Sequence, residues 1–288
     1  MRVAIVADRI GWEERQFMEA ADGRGWKSFW VNDGDLCVGA RGSGIPPADV
    51  HLMRSRSYTR CLAISGLLAD RGDRVVNTAE AISVCQDKLL TSRALHNVGI
   101  PVPEFRVVLT RHDLARAIEE LGLPCVIKPI VGGLGRRVFL IRDPDLAASA
   151  YDYVEQFAQG FDRVLLAQRY LPGADERAFV VGHTVVAAYR RRPAGDWRAN
   201  LSTGGVAEAI EADDEIIRLA TATTATIGAG IYALDLLTDA EGVRHVNEVN
   251  HVAMFRGAFD ATGVDVAGAV MDHLAAGAES AVTTAGAR

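Results

Sequence analysis

A carboxylate stands in the middle of an apolar run, Ile231-Tyr-Ala-Leu-Asp-Leu-Leu237. A run of this kind reads as a buried strand, and an ionised side chain there is costly without a positive partner. A polar turn separates it from Val243–Asn250, so the two segments read as the arms of an antiparallel hairpin. Side chains alternate along a strand, which puts Glu248 and Asn250 on one face. With Asp235 they offer two carboxylates and an amide oxygen, a hard donor set suited to magnesium bridging nucleotide phosphates. The other reading is a solvated polar face on which Glu248 pairs with Arg244.

Cationic and glycine-rich segments elsewhere favour the phosphate reading. Lys128 ends the apolar strand Pro124-Cys-Val-Ile-Lys128 and is followed by Gly132-Gly-Leu-Gly-Arg136. A strand that delivers an ammonium into a glycine turn can surround phosphates with charge and backbone N–H groups. The arrangement is not GxxxxGK[ST], which excludes a P-loop, and a plain hairpin turn explains the glycines equally well. Lys88 follows Asp87 midway along a helix predicted from Thr78 to Val98, a position open to solvent. Arg177 follows the acidic turn Asp175-Glu176, and Arg190-Arg-Arg192 ends the next strand. Alternation points Arg190 and Arg192 to one face and Arg191 to the other. The chain then passes through Asp196-Trp-Arg-Ala-Asn200 to Thr203-Gly-Gly205, a loop able to approach phosphate oxygens.

The chain reads as α/β, in three lobes. Residues 1–84 alternate strand and helix, as a mostly parallel sheet requires; residues 85–167 form a compact α+β unit; residues 168–288 carry two hairpins and two helices, the last near 264–276. A formal net charge of −6 gives no reason to expect nucleic acid or an anionic membrane as a partner. The four cysteines are far apart with no CxxC pair, which fits buried thiols in a reducing compartment rather than disulfides or zinc. No apolar run is long enough to span a bilayer, and a soluble, cytoplasmic protein is expected.

The order of these motifs resembles the ATP-grasp superfamily, within it the RimK-like ligases, and among those the LysX type of lysine biosynthesis. The resemblance rests on Arg54-Ser-Arg-Ser57, Val76-Asn77, Asp87-Lys88, Gly99-Ile-Pro-Val-Pro103, Val126-Ile-Lys-Pro129 and Gly133-Leu-Gly-Arg136. It continues through Asp175-Glu-Arg-Ala-Phe-Val-Val-Gly182, Ala187-Ala-Tyr-Arg-Arg191, Asn200 with Gly204-Gly205, Asn247-Glu-Val-Asn-His251 and Thr262-Gly-Val-Asp265. It implies an ATP-grasp fold preceded by a Rossmann-like pre-ATP-grasp domain.

It also implies roles for individual residues. Lys88 and Lys128 would contact phosphates or adenine, and Gly132, Gly133, Gly135 and Arg136 would belong to a lid over the phosphates. Gln168, Arg169 and Leu171 would form the hinge strand beside adenine, and Asp175 would face ribose. Arg177, Arg190 and Asn200 would hold the transferring phosphate, while Asp235, Glu248 and Asn250 would bind two magnesium ions, or manganese. Arg54, Arg56, Arg256, Gly204 and Gly205 would meet the substrates. The implied reaction joins an amino acid to the C-terminal glutamate of a small acidic carrier protein through an acylphosphate. A RimK-type ligase acting on a peptide or free amino acid, and a non-catalytic ATP-binding subunit, are the competing readings. Homodimers or homotetramers are expected from the same resemblance. The sequence differs from LysX-type ligases at Val252-Ala-Met254, Gly133-Leu134 and Arg169, which points to another amino acid or carrier.

Overall fold

The computed structural model describes residues 1–39, 44–133, 137–157, 164–193 and 204–285. Its first sheet is built from β1 (Arg2–Ala7), β2 (Lys27–Asn32), β3 (Val50–Met53) and β4 (Val75–Val76), in the order β2-β1-β3-β4, all parallel. Both faces of β1 are buried, as a parallel sheet between helices demands. Val3 and Ile5 pack with Phe17 and Ala21 of α1 (Trp12–Asp22), whereas Ala4 and Val6 pack with Cys61, Ile64 and Leu68 of α2 (Tyr58–Arg71).

The helix predicted from Thr78 to Val98 is two helices, α3 (Ala79–Gln86) and α4 (Lys88–Asn97). Thr78 caps α3 as expected, its hydroxyl accepting from the Ala81 N–H. Asp87 breaks the run: it is extended (φ −103°, ψ 110°), and its carboxylate accepts from the N–H groups of Leu89 and Leu90. An aspartate that satisfies two first-turn donors begins a new helix more readily than it continues the old one.

The second sheet is antiparallel, β5 (Phe105–Val108), β8 (Leu165–Arg169), β6 (Cys125–Pro129) and β7 (Phe139–Ile141), ordered β5-β8-β6-β7. Helices α5 (Arg111–Leu121) and α6 (Pro144–Phe157) cover one face, where Cys125 and Ile127 join Leu114, Ile118 and Tyr151 in a core. Thr110 and Asp113 form the expected capping box of α5. With Cys125 and Ile127 turned to that core, Val126 and Lys128 point the other way.

The third sheet has five antiparallel strands in the order β11 (Val206–Ala209), β10 (Thr184–Arg192), β9 (Asp175–Gly182), β12 (Gly230–Thr238) and β13 (Arg244–Asn250). The two predicted hairpins are therefore one sheet, joined where β9 pairs with β12. Ala178, Val180, Leu234 and Leu236 pack on one face with Ile216 and Leu219 of α7 (Asp214–Ile227). On the other face Phe179, Tyr189 and Ile231 share a core with Val3 and Phe17 of the first sheet and with Met271 of α9 (Val266–Ala285). The short helix α8 (Arg256–Thr262) and strand β11 are additions to the sequence-based reading. Just ahead of α8, Phe255 receives the rings of Trp12, Phe17 and Phe179 at 5.3, 5.1 and 5.8 Å.

One buried amide ties the first sheet to the third. Asn77 Nδ2 donates to the carbonyls of Ile231 (2.9 Å) and His251 (3.1 Å), and its Oδ1 accepts from the Ile231 N–H at 2.7 Å. Asn77→Ala orphans all three backbone groups, and a loss of about 3 kcal/mol of stability is expected in urea titration. Asn77→Asp keeps one of the three bonds and turns an acceptor toward two carbonyls, so it should give no rescue. Histidines add an acid-sensitive component. Burial lowers the pKa of His51 and His273, and burial aided by Arg54 lowers that of His251 to about 4. The unfolded chain then binds more protons below about pH 6.5, so stability is full above that pH and falls as pH drops toward 4. His251 alone should remove about 2 kcal/mol between pH 7 and pH 5, measurable as a shift in the urea midpoint that is absent in His251→Gln.

Candidate active site

The core face of the third sheet changes character along its strands. At one end it carries Phe179, Val181 and Ile231; at the other the same alternation presents Asp175, Arg177, Arg191, Asp235, Glu248 and Asn250. Arg177, Asp235 and Glu248 lie in one row across β9, β12 and β13. Asp235 is 5% exposed, and Arg177 grips it with a two-pronged contact, Nε to Oδ1 at 2.6 Å and Nη2 to Oδ2 at 2.7 Å. Arg191 lies 3.3 Å from the same Oδ2 and donates Nε to Asp175 at 2.8 Å. Burial pushes the Asp235 carboxyl upward; Arg177 and then Arg191 overcome it and hold the group below the ordinary carboxylate value. Asp175 is raised to about 6, because burial outweighs the pull of Arg191.

Arg190 is not in this cluster. Its register partner is Glu176, on the opposite face, where it donates to that carboxylate at 2.8 Å. Arg191 takes the position beside Asp235. Glu176 is buried to 1% exposure and shared with Arg244 at 2.7 Å, so the alternative reading, in which Arg244 pairs with Glu248, does not hold.

Glu248 instead faces two ammonium groups from outside the sheet, Lys88 at 3.6 Å and Lys128 at 3.9 Å. Both lysines are buried. Lys88 owes its place to the break at Asp87: it opens α4, its own N–H donates to Ile130 O at 2.8 Å, and its Nζ donates to the Gly132 carbonyl at 2.6 Å. Lys128 crosses from β6 to Asn247 Oδ1 at 3.0 Å. Asn247 is the extra residue of a β-bulge, since Asp235 pairs with Glu248 and Leu236 already with Val246. Burial, opposed by Glu248 and reinforced by Lys88, lowers the Lys128 pKa to about 8.

Gln168 lies opposite Val126 on the face that carries Lys128; it is 3% exposed, and its Nε2 has no hydrogen-bond partner among the described residues. Arg169 turns the other way and donates to Glu104, and Leu171 is buried. A cavity of about 360 Å³ lined by Leu123, Pro124, Leu140, Arg142 and Tyr170 opens at the end of β6 away from Lys128. Gly132 has a positive φ of 150°; Gly135, Arg136 and Asn200 lie outside the described residues. Gly204 (φ 93°) and Gly205 lead into β11, which pairs with Arg191 and Arg192.

The arginines expected at the substrate differ in availability. Arg54 is 2% exposed and consumed: Nε donates to Glu14 at 3.0 Å and Nη1 to the Ala253 carbonyl at 2.9 Å. Arg56 is partly exposed and paired with Asp8, and Arg256 is exposed over the Trp12 ring at 5.9 Å. Asp8 and Arg56 follow β1 and β3, where the strand order of the parallel sheet reverses, the position at which such sheets bind ligands. His251 is buried with Nε2 2.7 Å from the Gln86 amide, a packed neutral imidazole.

The donor set fits magnesium only in company. Among the described residues no three carboxylates, histidines or cysteines converge on one point. Two carboxylates and one amide are what a magnesium ion takes from a protein when nucleotide phosphates supply the remaining oxygens. The two lysines and the unpartnered Gln168 amide on the facing sheet match such a nucleotide.

The chain matches a LysX pre-ATP-grasp domain over residues 3–84 and a RimK-like ATP-grasp domain over residues 85–274. It is 29% identical to the glutamate–LysW ligase ArgX of Sulfolobus acidocaldarius, covering 95% of this chain and 98% of that one. It is also 29% identical to the α-aminoadipate–LysW ligase LysX of the same organism, over 91% and 97% of the two chains. Among solved structures, the RimK domain ATP-grasp protein of Sphaerobacter thermophilus superposes with a TM-score of 0.80 at 30% identity, covering 95% of this chain and 99% of that one. The chain therefore belongs to the RimK-like family of ATP-grasp ligases, with a LysX-type domain ahead of the catalytic unit.

Proposed function

We propose that this chain uses ATP and magnesium to join an amino acid, through its amine, to a carboxylate of the C-terminal glutamate of a small carrier protein. The observation that carries the reading is the row Arg177–Asp235–Glu248 faced by Lys88 and Lys128, four cations with Arg191 around a carboxylate pair. The ArgX and LysX relatives, named as ligases of LysW, support a carrier as the partner.

The reaction follows from what each group can do. The carrier carboxylate attacks the γ-phosphorus, the bond to ADP breaks, and an acylphosphate forms. The amine then attacks the acyl carbon, loses a proton and expels phosphate to leave an amide. Magnesium held by Asp235, Glu248 and Asn250 would supply charge neutralisation at the phosphates. Lys88 and Lys128 draw the triphosphate into the cleft between the second and third sheets, and Gln168 presents its buried amide to the base. Arg177 and Arg191, beside Asp235, would neutralise the charge that develops on the transferring group. Among the described residues, Arg56, paired with Asp8, and Arg256, 3.7 Å from Asp260, are the exposed arginines offered to substrate carboxylates. Arg54 acts at one remove, holding the Ala253–Met254 segment through the Ala253 carbonyl.

Phosphate release from Mg·ATP, screened with amino acids against carrier proteins and peptides ending in glutamate, tests the reading. Release that requires both partners, and is lost in Asp235→Asn, is the expected result. Release indifferent to the amine would sink it. The two neighbouring arginines separate by the same assay: Arg191→Met should cut turnover by about 10²-fold. Arg190→Met should leave turnover within a few-fold of the parent and lower stability by about 1 kcal/mol, because Glu176 keeps Arg244.

A further inference from the structure

The three residues offered to the metal are not equally open. Glu248 has its nearest cations at 3.6 and 3.9 Å, beyond hydrogen-bond length. Among the described residues Asn250 uses only Nδ2, toward the Ala233 carbonyl at 3.4 Å, so its Oδ1 has no partner there and can coordinate. Asp235 is closed: both oxygens accept from Arg177, and Arg191 approaches the second. The guanidinium fork neutralises the charge that a divalent ion would need and fills the direction from which it would come.

We propose that Arg177 and Arg191 are stand-ins for the metal. They keep Asp235 ionised and buried in the free protein and leave it only when Asp235 exchanges them for magnesium that enters with a nucleotide. The proposal rests on the metal reading above. Its logic is charge accounting in a buried place. Arg177 is 17% exposed in its side chain and Asp235 7%, so neither can hand its charge to water. Magnesium alone would free Arg177 beside Asp175, a carboxylate that Arg191 already occupies. Magnesium with a nucleotide brings a further anion, because phosphate oxygens arrive beside Asp235 as the guanidinium groups leave it. The two arginines are thereby withheld from the phosphoryl group until metal and nucleotide are both in place. Arg191 has a second acceptor in Asp175, so its release is the easier of the two.

Titration calorimetry of magnesium, alone and with saturating ADP, tests this on the whole chain without turnover. The parent should bind magnesium weakly alone and much more tightly with ADP. Arg177→Met should raise the affinity for magnesium alone by about tenfold or more, since it leaves a buried carboxylate seeking a cation. Arg191→Met should give a smaller rise. Arg177→Lys, which keeps the charge and loses the fork, should fall between parent and Arg177→Met and serves if the latter does not fold. A merely structural arginine would leave the affinity unchanged or lower it, and that result in a variant with a cooperative melt overturns the proposal. If Asp235→Asn leaves magnesium affinity with ADP intact, the metal lies elsewhere and both the site reading and the exchange fail.

Discussion

A carboxylate inside a β-sheet cannot be left to itself. Water and partners withdrawn, an ion of that size costs several kcal/mol, which is a large part of what a domain has in reserve. Asp235 escapes that cost because β9 lies against β12 in the one register that sets Arg177 beside it. The same pair of strands buries a second carboxylate on its other face, Glu176, served by Arg190 and Arg244. A one-residue slip would exchange the faces and strand both acids among the wrong partners. Register in this sheet is thus held by charge at one end and by Phe179, Val181 and Ile231 at the other.

The cleft is assembled from distant parts of the chain, each aimed by a local irregularity. The Asp87 break swings Lys88 out of what would have been a continuous helix. The bulge at Asn247 gives Lys128 an oxygen to hold. Arg54, too deeply buried to touch a substrate, fixes the segment that runs from Asn250 toward α8. Among the described residues four cations, Lys88, Lys128, Arg177 and Arg191, meet three carboxylates, Asp175, Asp235 and Glu248. The surplus positive charge, in a place with little water, is suited to a polyanion.

Much of this could be read before any coordinates. Alternation put Glu248 and Asn250 on one face, the hairpin reading brought Asp235 to them, and a lysine before a glycine turn added to the phosphate reading. The limits were physical. Arg190, Arg191 and Arg192 are equivalent by composition, and alternation splits them without saying which face is the site; only the pairing of Tyr189 with Arg177 decides. Asp87 lies inside a strong helical pattern, and its cap competes with the helix only because Ile130 waits to take the Lys88 N–H. Asn247 was invisible because a bulge breaks the very period by which strands are read. Arg54 looked like a ligand group since nothing local announces that Glu14 and the Ala253 carbonyl will use it.

Asn77 also bears on modularity. Its amide donates and accepts along the end of β12 as a neighbouring strand's backbone would, so the first sheet is stitched to the third by a side chain acting as main chain. The rings around Phe255 and the core shared by Val3, Phe17, Phe179 and Met271 continue the seam. Two stretches that match separate family domains, 3–84 and 85–274, share one core and should therefore unfold together. Recombining such a chain with a foreign N-terminal domain would require the newcomer to bring its own amide to the same edge of β12.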